Sequence, residues 1–126
     1  EPDYPNHEHI LRAFTRFTFH LHEQNVEFLD HSPGNTLIFL NENEINFSLV
    51  DLNRMNFRAL NFKDRMYNFR RLTPKKEMVK VMSDEYAKLI NKPKEDVFEL
   101  MWKFTSEFQR KFHKKQARKK KIKSIF

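Results

Sequence analysis

Three oxygen-bearing side chains, Asp30, Asn35 and Asp51, stand out for the chemistry they would allow together. Asp30 and Asn35 lie five apart in the run Asp-His-Ser-Pro-Gly-Asn, and Asp51 follows Asn35 by sixteen residues at the end of an apolar run. A carboxylate and an amide oxygen held side by side suit a hard cation such as Mg2+, which takes oxygen ligands and keeps several waters. A further acid nearby can orient or deprotonate a hydroxyl. That combination suits magnesium-assisted phosphoryl transfer.

These residues meet only if the intervening chain folds back on itself. Residues 36–40 (Thr-Leu-Ile-Phe-Leu) and 45–50 (Ile-Asn-Phe-Ser-Leu-Val) read as strands, the second alternating Ile45, Phe47 and Leu49 with Asn46 and Ser48. Asn41 to Glu44 form a polar four-residue turn, which predicts a hairpin. Pairing Leu40 with Ile45 sets Thr36 opposite Leu49 and Asn35 opposite Val50, with Asp51 one step beyond. Paired residues in an antiparallel ladder sit about 4.5–5.5 Å apart at Cα, so Asn35 and Asp51 would leave one end of the hairpin together. Asp30 approaches the same end from the preceding loop. The plainer alternative is that Asp30 caps a turn and Asp51 ends an edge strand.

The remaining elements are helical. Residues 7–24 carry Ile10, Phe14, Phe17 and Leu21 at helical spacing, with Leu11 and Thr18 beside them, Asn6 as N-cap and Asn25 as a left-handed stop. Residues 26–35 break every periodicity and hold Pro33-Gly34, so they read as a loop. Asn61 is placed to cap a helix over 62–71, with Asp64 in its first turn. Thr73 and Pro74 form an N-cap and N1 pair for a helix to about residue 91, with the stripe Met78, Met82, Tyr86 and Leu89. Pro93, Glu95 and Asp96 open a last helix with the stripe Val97, Met101, Phe104, Phe108 and Phe112, flanked by Phe98 and Trp102. Both stripes are expected to be core. The fold class is mainly α with a small antiparallel hairpin.

Composition agrees. A hydrophobic fraction of 39% with fourteen phenylalanines among 126 residues allows one modest core, and a single glycine favours helix over tight turns. With no cysteine, disulfides and thiolate metal sites are excluded. The pairs His7/His9 and His20/His22 are two apart, so each splits across a helix, which argues against zinc and for surface or half-buried rings. No apolar run reaches the roughly 20 residues of a membrane span, and no signal peptide is visible. The net charge of +7 is uneven: nine Lys/Arg and no acid fall between Arg110 and Lys123, leaving fifteen bases against seventeen acids elsewhere. The organisation is therefore a body over 1–109 and a basic tail over 110–126 that continues the last helix.

Asp30 to Asn35 resembles the kinase catalytic loop in its Asp-x-x-Pro-Gly-Asn form, and Leu49-Val-Asp-Leu-Asn-Arg54 resembles the segment bearing the kinase metal-binding aspartate. Together with the apolar strand between them and Met55, these runs are most similar to lipopolysaccharide kinases of the Kdo/InaA group, over about Tyr4 to Arg71. The resemblance implies the C-terminal lobe of a protein-kinase-like fold, with the N-terminal lobe missing. By position, Asp30 would be the catalytic residue acting on the acceptor hydroxyl, and Asn35 and Asp51 would hold Mg2+ and through it ATP. Asn53 stands where glycine is usual and is a candidate further metal contact. Phe28-Leu29 replaces the usual His-Arg, which removes the arginine that would read a phosphorylated activation loop. No Gly-rich loop and no strand Lys–helix Glu pair can be placed, so the chain alone is expected to be inactive.

The acceptor implied is a sugar hydroxyl of lipopolysaccharide core, in a cytoplasmic enzyme peripheral to the inner membrane. The tail reads most plainly as solvated charge or a disordered end; next comes an anionic membrane surface as partner, with Ile122, Ile125 and Phe126 among its bases. Nucleic-acid binding through the tail is the less favoured option, since no interleaved aromatics or reading motif accompany the charge. A degraded kinase scaffold serving as an interaction protein is the remaining alternative. An apolar patch on the hairpin side would invite self-association.

Overall fold

A computed structural model describes residues 7–40, 44–50 and 54–125, with side chains described through Lys120. The N-cap expected at Asn6, the turn residues Asn41 to Asn43, and both Asp51 and Asn53 lie outside these residues. So do Phe126 and the side chains of Ile122 and Ile125.

Helix α1 (His7–Glu23) ends where Asn25 turns left-handed at φ 61°, a conformation that asparagine tolerates better than most residues. Its inward face is the expected stripe only in part: Phe14 is buried with Thr18 beside it, whereas Ile10, Phe17 and Leu21 are half-buried. Phe14, Thr15, Thr18 and His22 are the buried residues, so the helix is turned toward its polar positions. Burial is tolerable because each hydroxyl is satisfied within the helix. Thr15 Oγ1 donates to the Leu11 carbonyl at 2.8 Å and Thr18 Oγ1 to the Phe14 carbonyl at 3.0 Å.

The stretch expected to be entirely loop contains a strand, β1 (Val26–Phe28), paired antiparallel with β4 (Met55–Phe57). Neither is longer than three residues. What fixes them is burial of Phe28 and a bidentate ion pair in which Arg58 Nε and Nη2 reach Glu27 Oε1 and Oε2 at 2.8 and 3.0 Å. Strands β2 (Thr36–Leu40) and β3 (Ile45–Leu49) form the second sheet, an antiparallel pair with Leu40 opposite Ile45 and Thr36 opposite Leu49. That is the register expected from the alternation.

Helix α2 (Phe62–Tyr67) stops four residues before the expected end. A capping box starts it: Asn61 Oδ1 accepts from the Asp64 N–H at 2.8 Å while the Asp64 carboxylate accepts from the Asn61 N–H at 3.3 Å. Arg58 Nη1 also reaches Asp64 at 3.0 Å, which ties this cap to the β1–β4 ladder. Asn61→Ala is expected to cost about 1 kcal/mol of unfolding free energy in a denaturant titration, the usual loss for an N-cap.

Thr73 and Pro74 do not cap a helix. Thr73 Oγ1 accepts from the Lys75 N–H at 3.1 Å, closing a turn, and α3 (Lys76–Ile90) begins after it. It ends on Asn91 in the left-handed region, φ 56°. Helix α4 (Lys94–Ile125) runs unbroken for 32 residues. The core lies where α1, α3 and the first half of α4 meet, with Met66, Phe69, Met82, Tyr86, Val97 and Met101 at its centre. An ionic clasp secures α1 to α3: Arg12 Nη1 reaches Asp84 at 2.8 Å and Glu85 at 3.0 Å, and Arg16 reaches Glu85 at 3.0 Å.

The stripe expected on α4 is core only as far as Phe104. Phe108 is half-buried and Phe112 exposed, because the body ends before the helix does. On β2, Leu37, Ile38, Phe39 and Leu40 are each about half exposed, an open apolar run on the hairpin. No helix among the described residues is long and apolar enough to cross a membrane.

Candidate catalytic loop

The loop from Leu29 to Asn35 is clamped by a sheet at each end. The Leu29 N–H donates to the Arg54 carbonyl at 2.8 Å, extending the β1–β4 ladder. The Val50 N–H donates to the Asn35 carbonyl at 3.0 Å, extending the β2–β3 ladder. Asn35 therefore sits opposite Val50, the residue that precedes Asp51 in sequence.

Inside the loop the side chains hold the backbone. Asn35 Nδ2 donates to the Asp30 carbonyl at 3.0 Å and to Ser32 Oγ at 3.3 Å, and Ser32 Oγ donates to the same Asp30 carbonyl at 3.2 Å. The Asn35 N–H reaches the Ser32 carbonyl at 3.1 Å across a single 3-10 turn, Pro33–Asn35. Gly34 keeps a negative φ and has open space beside its Cα, so this turn does not depend on glycine. Fixing Nδ2 also orients the amide, so Oδ1 faces the other way, without a hydrogen-bond partner among the described residues. An amide oxygen set in this way can serve a hard cation.

Asp30 is partly buried, with Arg54 Nε 3.8 Å from Oδ2. Arg54 supplies a countercharge that the sequence alone does not reveal, since it depends on the short β1–β4 pairing. The contact is long and Arg54 is exposed, so it orients more than it stabilises. Of the three expected residues, Asp30 and Asn35 share one hydrogen-bonded loop, whereas Asp51, like Asn53, is outside the described residues. Among the described residues no group of three or more His, Asp and Glu side chains gathers closely enough to hold a metal.

Beneath the loop lies a feature that hydropathy hides. His31, next to Asp30, is 1% exposed and stacks on Phe14 with centroids 5.0 Å apart, edge-on to Phe28 and Phe69. Its Nε2 lies 2.9 Å from Thr18 Oγ1. The Thr18 proton is committed to the Phe14 carbonyl, so His31 must be the donor, carrying its hydrogen on Nε2. Nδ1 is then a buried acceptor without a partner among the described residues. Burial, with His22 adding a smaller push, lowers the His31 pKa to about 3.

His22 is buried too, contrary to the expectation of a surface or half-buried ring. Its Nδ1 is 2.8 Å from the Tyr86 hydroxyl and its Nε2 is 2.9 Å from Asn68 Oδ1. Asn68 Nδ2 in turn donates to the Phe28 carbonyl at 3.0 Å. The amide oxygen accepts only, so His22 carries its hydrogen on Nε2 and receives the Tyr86 O–H at Nδ1. Burial, helped by nearby Arg65, lowers its pKa to about 4 against the opposing bond to Asn68. Thus β1 and the loop after it are keyed to α1 and α3 through two neutral imidazoles. His7, His9 and His20 are half-buried or exposed, as expected.

A cavity of about 480 Å3 opens between α1, β2 and α3, walled by Ile10, Phe14, Pro33, Ile38 and Met82. No Lys or Arg among the described residues lines it, so it suits an apolar group rather than a phosphate.

The architecture defines a mainly helical domain carrying two small antiparallel sheets, with a hydrogen-bonded Asp–Asn loop between them. Comparison with protein-family models, with curated proteins and with solved structures finds no significant match for the chain.

Proposed function

We propose that this chain is the C-terminal lobe of a kinase-like phosphotransferase that moves the γ-phosphoryl group of ATP to a sugar hydroxyl, in lipopolysaccharide core. The observation that carries the reading is the hairpin register: the Val50–Asn35 backbone bond closes the loop that holds Asp30, one residue before Asp51. The choice of acceptor rests on resemblance of the loop and the 49–55 segment to lipopolysaccharide kinases.

In this reading Asp30 positions the acceptor hydroxyl and takes its proton as the bond to phosphorus forms. Asn35 offers Oδ1, and Asp51 a carboxylate, to Mg2+, with Asn53 as a further contact. The metal, when bound, neutralises charge on the transferring phosphoryl group. His31 keeps the loop seated on α1, and Arg54 holds the Asp30 carboxylate to one side. A chain with one glycine carries no Gly-rich phosphate loop, so a preceding lobe would complete the ATP site.

The test is a Mg·ATP titration of the protein with both lobes, followed by calorimetry or nucleotide fluorescence. Asp51→Ala is expected to weaken Mg·ATP binding at least about tenfold, one charge-assisted metal contact being worth more than 1.4 kcal/mol. Equal binding by both proteins would remove the metal role. The open apolar run on β2 favours a second reading, an interaction protein on the same scaffold. Complete absence of nucleotide and Mg2+ binding would select it.

A further inference from the structure

Beyond residue 109 helix α4 leaves the body, and every residue from Arg110 to Lys120 is exposed. Arg110, Lys111, Lys114, Lys115, Arg118 and Lys119 fall at i, i+1, i+4, i+5, i+8 and i+9. On an α-helix that spacing collects them on about half of the circumference, along about 14 Å of axis. Four like-charged pairs stand at i,i+4: 110/114, 111/115, 114/118 and 115/119. Each such pair disfavours the helix when unscreened.

None of these bases lies within 4 Å of a carboxylate among the described residues, whereas Arg12, Arg16, Arg54, Arg58 and Arg65 of the body each do. The last acid in the chain is Glu107. A self-repelling, solvent-facing stripe is a surface whose countercharge comes from outside, and the countercharge must be extended to meet six bases at once.

We infer that the stripe of α4 docks on an anionic lipid bilayer. Two extended anions fit the charge, a bilayer surface and a nucleic-acid backbone, and the apolar residues discriminate. Phe112 is 45% exposed within the stripe's length, and the sequence closes with Ile122, Ile125 and Phe126 among further lysines. Headgroups neutralise the bases while the interface takes up apolar side chains. A phosphate backbone gives those apolar groups nothing, and the stripe offers no row of aromatics on which bases could stack. The inference does not depend on phosphotransfer, because lipid binding is read without nucleotide.

The experiment is sedimentation of the full chain with phosphatidylcholine vesicles, pure or containing one-third phosphatidylglycerol, at low and physiological salt. Binding is expected only to the anionic vesicles and is expected to weaken with salt. The quadruple variant Lys114→Gln, Lys115→Gln, Arg118→Gln, Lys119→Gln should lose about two to three orders of magnitude in vesicle affinity, from the usual contribution per base near a charged surface. These side chains are exposed and make no ion pair, so helicity and thermal unfolding should be retained. Phe112→Ser separates the two anions: it should weaken vesicle binding several-fold and leave retention of a DNA duplex unchanged. Equal binding to pure phosphatidylcholine would overturn the inference. So would unchanged vesicle binding in the quadruple variant, unchanged vesicle binding in Phe112→Ser, or tighter binding to the duplex than to anionic vesicles at matched salt.

Discussion

Asp30→Asn is expected to lower ATP-dependent phosphate transfer by about 10²–10⁴-fold, the usual contribution of a positioned general base. The substitution keeps the size of the side chain. It also leaves the backbone carbonyl that Asn35 Nδ2 and Ser32 Oγ both engage, so the loop retains its internal bonds. What disappears is the proton acceptor and the countercharge for Arg54, 3.8 Å away. The loss should fall on kcat, with KM for ATP nearly constant, because the proposed role of Asp30 is to act on the acceptor rather than the nucleotide. The measurement is steady-state transfer to a sugar acceptor by the proposed kinase with its preceding lobe present. A kcat within about threefold of the parent would dismiss Asp30 as the base. A rise in KM for ATP as large as the fall in kcat/KM would point instead to a binding role.

The second large effect is acid lability. His22 and His31 are both buried as neutral rings, with pKa values lowered to about 4 and about 3 from 6.5. Below pH 6.5 the unfolded chain binds protons that the folded chain refuses, so their contribution is whole above that value and is lost as pH falls toward 4. Each site carries about 3 kcal/mol across the window, and the pair about 6 kcal/mol. Net stability of a domain is of order 5–15 kcal/mol, so cooperative unfolding is expected between about pH 4 and 5. Glu27, whose carboxyl is held below its ordinary value by Arg58, adds its loss only in more acidic solution. Circular dichroism against pH, combined with urea titrations, gives the slope. His31→Phe keeps an aromatic ring among Phe14, Phe28 and Phe69 and should remove about half of the slope, although it gives up the bond to Thr18. Unfolding free energies that agree within about 1 kcal/mol at pH 7 and 4.5 would show that the imidazoles do not control stability.

Much of this arrangement can be read from the sequence where local pattern and burial coincide. The β2–β3 register follows from Ile45, Phe47 and Leu49 alternating with polar neighbours, because a one-residue slip would expose them all. Asn25, Asn61 and Asp64 announce helix ends through chemistry that needs no tertiary context. Other features become visible only once distant elements meet. The β1–β4 ladder joins two strands of three residues separated by more than twenty others, and no alternation that short is distinctive. The inner face of α1 carries Thr15, Thr18 and His22, which hydropathy assigns to solvent. Their partners are carbonyls one turn back, Tyr86 and Asn68, the last two far along the chain. Thr73-Pro74 misleads for a related reason, since the same hydroxyl that can cap a helix can close a turn two residues earlier.

The clamped loop also constrains how the chain can drift over evolutionary time. Leu29 is pinned to one ladder and Asn35 to the other, so the number of residues between them is locked to the phase of both. One added or deleted residue would rotate β2 by half its repeat, turning Leu37 and Phe39 toward α1 and throwing Ile38 and Leu40 outward. Gly34, with open space beside its Cα, can change through a single substitution, whereas length can change only through compensating edits on both sides.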